Sequence, residues 1–250
     1  MSISEVFPNP TVKKVILQIR FPNLFYMENK IGDLQMKIMK EFPESALLYR
    51  TQIVVADLGP EEKPSDFDKA KGKKIWQFTS SKDVKLNILN DSLDISSEYH
   101  KTYNLGEADK FRDVIKFVLD CFLEIAAIPI INRIGLRYID ECPIPSKDND
   151  TFRSYYNSVF PLDRFNLVDA NEMDFRTMIK KGEYYLRYIE SLQKADDGYK
   201  LILDFDSFGE KIDPKDYLQV ADSLHTIISD EYEITIKEPV RVYMRQVKES

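Results

Sequence analysis

From Val12 to Phe21 the side chains alternate in character. Lys13, Val15, Leu17, Ile19 and Phe21 fall on one face, and Val12, Lys14, Ile16, Gln18 and Arg20 on the other. A period of two predicts a half-buried strand, and Pro22 ends it. Met27, Ile31, Leu34, Ile38 and Phe42 then recur at helical spacing; Gly32 weakens that helix and Pro43 stops it. Leu47 to Leu58 reads as a second strand. The charged stretch Gly59 to Lys74, with Pro60 and Pro64, reads as a solvated loop. Ile75–Ser80, Val84–Leu89 and Ser92–Tyr99 form an expected three-strand meander, turning at Ser81-Lys82-Asp83 and Asn90-Asp91. Trp76 and Phe78 share a face and should anchor it.

Asp109 to Ala127 carries the clearest helical stripe, through Phe111, Val114, Ile115, Val118, Phe122 and Ile125. Pro129 closes it and delivers the chain to Ile130–Asp140, read as a central strand. There Ile134, Leu136 and Tyr138 point one way, and Arg133, Gly135 and Arg137 the other. After Pro143 and Pro145, Thr151 to Phe160 reads as a short aromatic helix. Phe165–Lys180 and Glu183–Lys194 read as two long strands turning at Lys181-Gly182. Asp196-Asp197-Gly198 signals another turn, before a strand over Tyr199–Phe208. Pro214 after Asp213 opens the last helix, with Tyr217, Ala221, Leu224 and Ile228 as its stripe. Val240–Met244 reads as a closing strand. These elements predict an α+β fold: mainly antiparallel sheet with amphipathic helices packed on it. Twice, strands lead through an amphipathic helix to a strand, so two similar α+β halves are expected, residues 1–145 and 146–250, sharing one compact domain.

Composition narrows the chemistry. Of 250 residues 43% are hydrophobic, ample for a packed core. The formal charge of −7 supplies no global basic field to steer a nucleic acid, which makes nucleic acid an unexpected partner. Cys121 and Cys142 form no CxxC or Cys/His pair, so neither zinc nor a disulfide framework is indicated. The segment Met1–Pro10 lacks the pattern of a secretory leader, and no apolar run reaches membrane-spanning length. A cytoplasmic protein, without membrane attachment, is expected.

Candidate chemistry is sparse. No P-loop, GxGxxG or GxSxG is present, and no catalytic residue, metal site or cofactor is expected. Asp204 and Asp206 lie two apart on one strand face. Arg133, Arg137 and Arg187 have the complementary layout, so cross-strand ion pairing is the plain reading. The functional reading is a ligand site at Arg133, Arg137, Asp204 and Asp206, with the arginines holding an anionic group. Of the two histidines, His225 is expected to pack on its helix or sit at a solvent edge, and His100 follows a strand end.

Several segments together resemble a known family. They are Asn9-Pro10-Thr11-Val12, Gln18-Ile19-Arg20-Phe21-Pro22, Trp76-Gln77-Phe78-Thr79-Ser80, Arg133-Ile134-Gly135-Leu136-Arg137-Tyr138-Ile139-Asp140, Leu203-Asp204-Phe205-Asp206 and Leu224-His225. The chain is similar over essentially its whole length to a sporadically distributed prokaryotic family of about 250 residues without an assigned function. Lys14 and Asp140 depart from the family pattern, which has an acidic residue and an asparagine there. The family brings no catalytic residues. Its patchy distribution resembles that of mobile islands such as phage-defence or toxin–antitoxin cassettes.

Three functions follow as expectations. The first is a non-enzymatic protein-interaction module, with a protein partner or as a homo-oligomer. The second is a small-molecule or nucleotide binder, an enzyme included, using the arginine-lined sheet face. The third, an RNA-binding protein, is opposed by the acidic charge.

Overall fold

In the computed structural model, which describes residues 5–50, 73–195 and 198–247, the chain opens with β1 (Val12–Arg20) and α1 (Met27–Ile38). A ladder follows: β2 (Glu44–Arg50), β3 (Lys73–Thr79), β4 (Lys85–Ile88) and β5 (Ser92–Ser97). The helix α2 (Phe111–Ile125) leads to β6 (Ile131–Pro143). Then come α3 (Asn149–Tyr155), a second ladder of β7 (Met173–Lys181), β8 (Tyr184–Ala195) and β9 (Gly198–Ile212), and the helices α4 (Tyr217–Thr235) and α5 (Glu238–Arg245). The strands form one sheet in the order β2-β3-β4-β5-β1-β6-β9-β8-β7, with every pairing antiparallel. The expected α+β class, an antiparallel sheet carrying amphipathic helices, is the one observed.

The two ladders meet at the β1–β6 pair, where Leu17 lies opposite Leu136, Ile19 opposite Ile134 and Val15 opposite Tyr138. Because side chains alternate, this register turns all six toward one face, and all six are buried. Leu86, Ile88, Leu93, Ile95, Leu203 and Phe205 extend the same face across the neighbouring strands. The helices close it. Phe111, Ile115, Val118, Leu119 and Phe122 of α2 are buried, and Phe122 meets Phe21 with ring centroids 5.5 Å apart. Leu224, Ile228 and Tyr232 are the buried stripe of α4, which packs on β6, β8 and β9. Polar contacts fix α4 beside α2: Arg112 grips Asp222 through two hydrogen bonds of 2.7 and 2.8 Å, and Tyr217 Oη donates to Asp120 at 2.7 Å.

Strand order and register repeat about the central pair. β1 pairs with the last strand of the first ladder, β5, and β6 with the last strand of the second, β9. Gln18 lies opposite Asp94, which lies opposite Asn87; at matching positions Arg137 lies opposite Asp206, which lies opposite Arg187. The repeating strand set therefore begins again at β6, ahead of the expected division between residues 145 and 146. Both sets share one continuous sheet.

Several local expectations change. Val240–Met244 is helical, not a strand: Pro239 sits in the first turn of α5, and Val240 and Met244 are buried on one side while Val242 is 49% exposed. A spacing of four returns to the same face at a period of 3.6 as well as at two, so the apolar pattern there fits either element. The strand expected from Phe165 starts only at Met173. Asn166 instead caps a single tight turn over Leu167–Asp169, accepting from the Val168 amide. The aromatic helix expected to Phe160 stops at Tyr155, after which Tyr156 forms an isolated bridge with Ile236. The strand expected over Leu47–Leu58 is β2 up to Arg50. Its remainder, the loop from Gly59 to residue 72 and the Asp196-Asp197 turn lie outside the described residues. Gly182 holds φ at +62° between β7 and β8, a left-handed turn position that suits glycine. Among the described residues, no helix is long and apolar enough to cross a membrane.

Candidate functional site

The sequence singled out Arg133, Arg137, Asp204 and Asp206, and the β6–β9 register brings all four together on the sheet face opposite the helices. Arg137 donates to both oxygens of Asp204, Nε at 2.7 Å and Nη2 at 2.5 Å. Arg133 Nη2 reaches both oxygens of Asp206 at 2.9 and 3.0 Å, and Arg187 Nη1 approaches the same carboxylate at 3.6 Å. The Arg133 guanidinium also lies over the Phe208 ring, 4.4 Å from its centroid. Gly135 makes room for it. A β-carbon there would sit 2.4 Å from Arg133 Nη1. The Arg-x-Gly pattern thus has a steric reason: the arginine arm lies flat over the glycine to reach Asp206.

This is a cross-strand ion-pair ladder. Three guanidinium groups meet two carboxylates, and Asp204 is only 7% exposed. Arg137 is held protonated chiefly by its hydrogen bonds to Asp204. The arginines offered to an external anion by the sequence are engaged in the protein itself.

A second constellation lies on the helix side, where β6 continues past Leu136. The cavity there has a volume of about 100 Å³. Tyr138 and Asp140 of β6 form its floor and His225, Ile228, Ser229 and Tyr232 of α4 its roof. The N-terminal residues Glu5–Val12, the Lys101–Leu105 loop and Met244 close its sides. Sequence pattern placed Tyr138 on one strand face with Ile134 and Leu136, and His225 in helix packing or at a solvent edge, and gave neither a role.

The polar atoms here are of two kinds. Thr11 Oγ1 donates to Asp140 Oδ1 at 2.8 Å and is 2.5 Å from Tyr232 Oη, so the three groups form a chain. In contrast, Tyr138 Oη and His225 Nδ1 are buried and have no hydrogen-bond partner among the described residues. The His225 ring stacks on Tyr103, centroids 4.2 Å apart, and lies 5.9 Å from the Tyr138 ring. Tyr103 is held in turn by its hydroxyl on Asp222, at 2.8 Å.

Burial sets the charge states. It pushes the Asp140 carboxyl up to about 7, against the opposing hydrogen bond from Thr11. It pushes His225 down to about 4, so the imidazole is neutral at physiological pH. Among the described residues Lys101 is the one lysine or arginine on the wall. Its ammonium is given to the carbonyls of Glu98 and Val12, at 2.7 and 3.3 Å, and makes no ion pair with Asp140. Among the described residues no cluster of His, Cys, Asp and Glu could hold a metal ion.

The repeat in the sheet shows how unusual this end is. With Leu17 and Leu136 as equivalent positions, Tyr138 corresponds to Ile19 and Asp140 to Phe21. In the first set those places are filled by packed hydrocarbon, with Phe21 against Phe122 of α2. In the second they carry a phenol and a carboxyl beside a void. The other histidine, His100, is buried with Nδ1 2.8 Å from Ser97 Oγ, a satisfied interior position. No family model, curated protein or solved structure matches the chain.

Two outcomes are expected. Arg137→Met leaves the Asp204 carboxylate without its guanidinium and should cost about 1–3 kcal/mol in urea unfolding. Adding Asp204→Leu should recover most of that loss; no recovery would mean the pair is not the source. Asp140 has a folded pKa raised above its unfolded value, so its contribution is present below pH ~4 and is lost as pH rises through about 7. Asp140→Asn should therefore flatten the decline in stability over that window. It should stabilise the protein above it by on the order of 2–4 kcal/mol, read from unfolding curves at successive pH.

Proposed function

We propose that the protein binds a small polar molecule in the cavity between β6, α4 and the N-terminal segment. The observation that carries this is the pair of unpartnered atoms, Tyr138 Oη and His225 Nδ1, brought to one wall by different elements. Leaving a buried polar atom unsatisfied costs about 1–3 kcal/mol. Buried polar groups in native proteins therefore nearly always have a partner, and here none of the described residues supplies it. The volume, about 100 Å³, is several times the roughly 10–15 Å³ that one buried water requires. Ring faces from Tyr103 and Tyr138 and apolar surface from Val12, Ile228 and Met244 supply the hydrocarbon walls expected of a ligand site. This keeps the small-molecule reading of the sequence and moves its site from the arginine face to the interior.

A second reading, a protein-interaction module, is supported by two other features. No described helix covers the sheet face that carries Ile16, Gln18, Asp94, Arg137 and Arg187. On α1 and its flanks Phe25, Met36 and Met39 are 89%, 70% and 54% exposed, exposed apolar side chains of the kind that mark contact surfaces.

Tyr138→Phe should be neutral or stabilising by about 1 kcal/mol in the free protein, because it deletes an unmet hydroxyl. It should also abolish or weaken binding of any fragment captured by the wild type in a native mass-spectrometric screen of small polar molecules. A clear destabilisation of the free variant, with no fragment bound to the wild type, would retire the ligand reading. For the interaction module, light scattering should report a dimer or a stoichiometric co-purified protein; a bare monomer in both measurements would retire that one.

A further inference from the structure

We infer that the molecule held in this cavity is a small organic cation, a primary ammonium or an amidine-type group, with its charge on Asp140 and its hydrogen-bonding or ring contacts on Tyr138, Tyr103 and His225. The inference rests on the ligand-binding reading above and adds the chemical class.

The argument starts from what Asp140 lacks. A carboxyl that is only 5% exposed ordinarily has a cationic partner. Asp204, 7% exposed, has Arg137. Glu190, fully buried, is satisfied in another way, by the Tyr188 and Ser158 hydroxyls and the Val159 amide. Among the described residues Asp140 has one hydrogen bond, from Thr11. No described arginine lines the cavity, and its lysine is turned to backbone carbonyls at the edge.

The remaining walls suit a cation. Tyr103 and Tyr138 line the cavity with aromatic rings, and a cation set over such a ring is attracted by its quadrupole, the more so when desolvated. His225 is neutral, so one of its two ring nitrogens accepts a hydrogen bond; in the tautomer that protonates Nε2, that atom is Nδ1, which is buried and unmet. The Tyr138 hydroxyl has lone pairs to accept a second donor. An ammonium or amidinium brings two or more N–H donors. An anionic ligand would place a negative charge beside a carboxyl and leave it uncompensated. A neutral ligand would satisfy the orphan atoms but leave Asp140 to be buried as the protonated acid.

Binding should be coupled to proton loss from Asp140. The groups that face it are Thr11 from the N-terminal segment, Tyr138 and Cys142 of its own strand, Tyr232 of α4 and, across the sheet, Asp204. Glu5, Lys101 and His225 line the same cavity. Tyr138 and Tyr232 are pushed far upward by burial, and His225 is already neutral above pH ~5, so Asp140 is the interior group that titrates near neutrality. A cation of high pKa should therefore bind more tightly as pH rises from 6 to 8.

The experiment is isothermal titration calorimetry on the intact chain with four probes of similar size: propylammonium, acetamidinium, propionamide and propionate. Binding of either cation, with affinity rising by about tenfold per pH unit below Asp140's pKa and levelling above it, and no binding of propionate, is the expected result. Asp140→Asn should weaken the cation by about 10- to 100-fold, with its fold checked by circular dichroism. The wild-type charge preference and pH slope stand as independent readouts if that variant fails to fold. Binding of propionamide in preference to both cations would overturn the inference and leave the cavity reading intact. Binding of propionate alone would overturn it in the same way. If no probe binds, the cation inference falls, and the cavity reading is then decided by the Tyr138→Phe measurement and the wider fragment screen.

Discussion

The pairing of β1 with β6 is the constraint on which the rest of the molecule depends. It joins two strand ladders into one sheet, and its register places Leu17 against Leu136. A one-residue slip would turn every buried side chain of one strand to the other face. The same register fixes both functional constellations. It directs Arg133 and Arg137 to the open face, across from Asp206 and Asp204, and Tyr138 and Asp140 to the face beneath α4. One strand thus contributes a self-satisfied polar ladder on one side and an unsatisfied polar wall on the other.

Those two sides obey the same electrostatic rule with opposite results. On the open face Arg133, Arg137 and Arg187 meet Asp204 and Asp206 on a neighbouring strand. On the helix face a carboxyl is buried with no cation among the described residues, beside the Tyr138 hydroxyl and His225 Nδ1, for which those residues supply no hydrogen bond. The matching positions of the first strand set, Ile19 and Phe21, are packed hydrocarbon. A fold that fills this place in one set and hollows it out in the other has set aside interior volume that stability alone does not require.

Much of the architecture was legible in the chain. The period of two in Val12–Phe21 and in Ile130–Asp140, and the helical stripe of Phe111–Ile125, are long and regular, and each became the element expected. The misreadings fall where the pattern is short or two-valued. Val240 and Met244 fit either period, and the helix followed from Pro239 and from burial against the N-terminal segment, whose Asn9 amide donates to the Met244 carbonyl. Phe165–Met173 has no clear alternation, and the capping of Asn166 decided its course. The charge complementarity of Arg133, Arg137, Asp204 and Asp206 was visible in spacing. The strands being neighbours was not.

The sequence by itself determined which residues share a face, because side-chain direction is a local property of strand and helix geometry. It thereby determined the α+β class and the five residues of the ion-pair ladder. The tertiary structure alone decided that β6 lies between β1 and β9, that the ladder's arginines are spent on its aspartates, and that His225 and Tyr138 end at one cavity above Asp140. These are long-range facts: Tyr138 and His225 belong to different elements far apart in the chain, and only the packing of α4 on β6 brings them together. Whether a buried polar atom is satisfied depends on what arrives from elsewhere in the chain, and no local pattern carries that information.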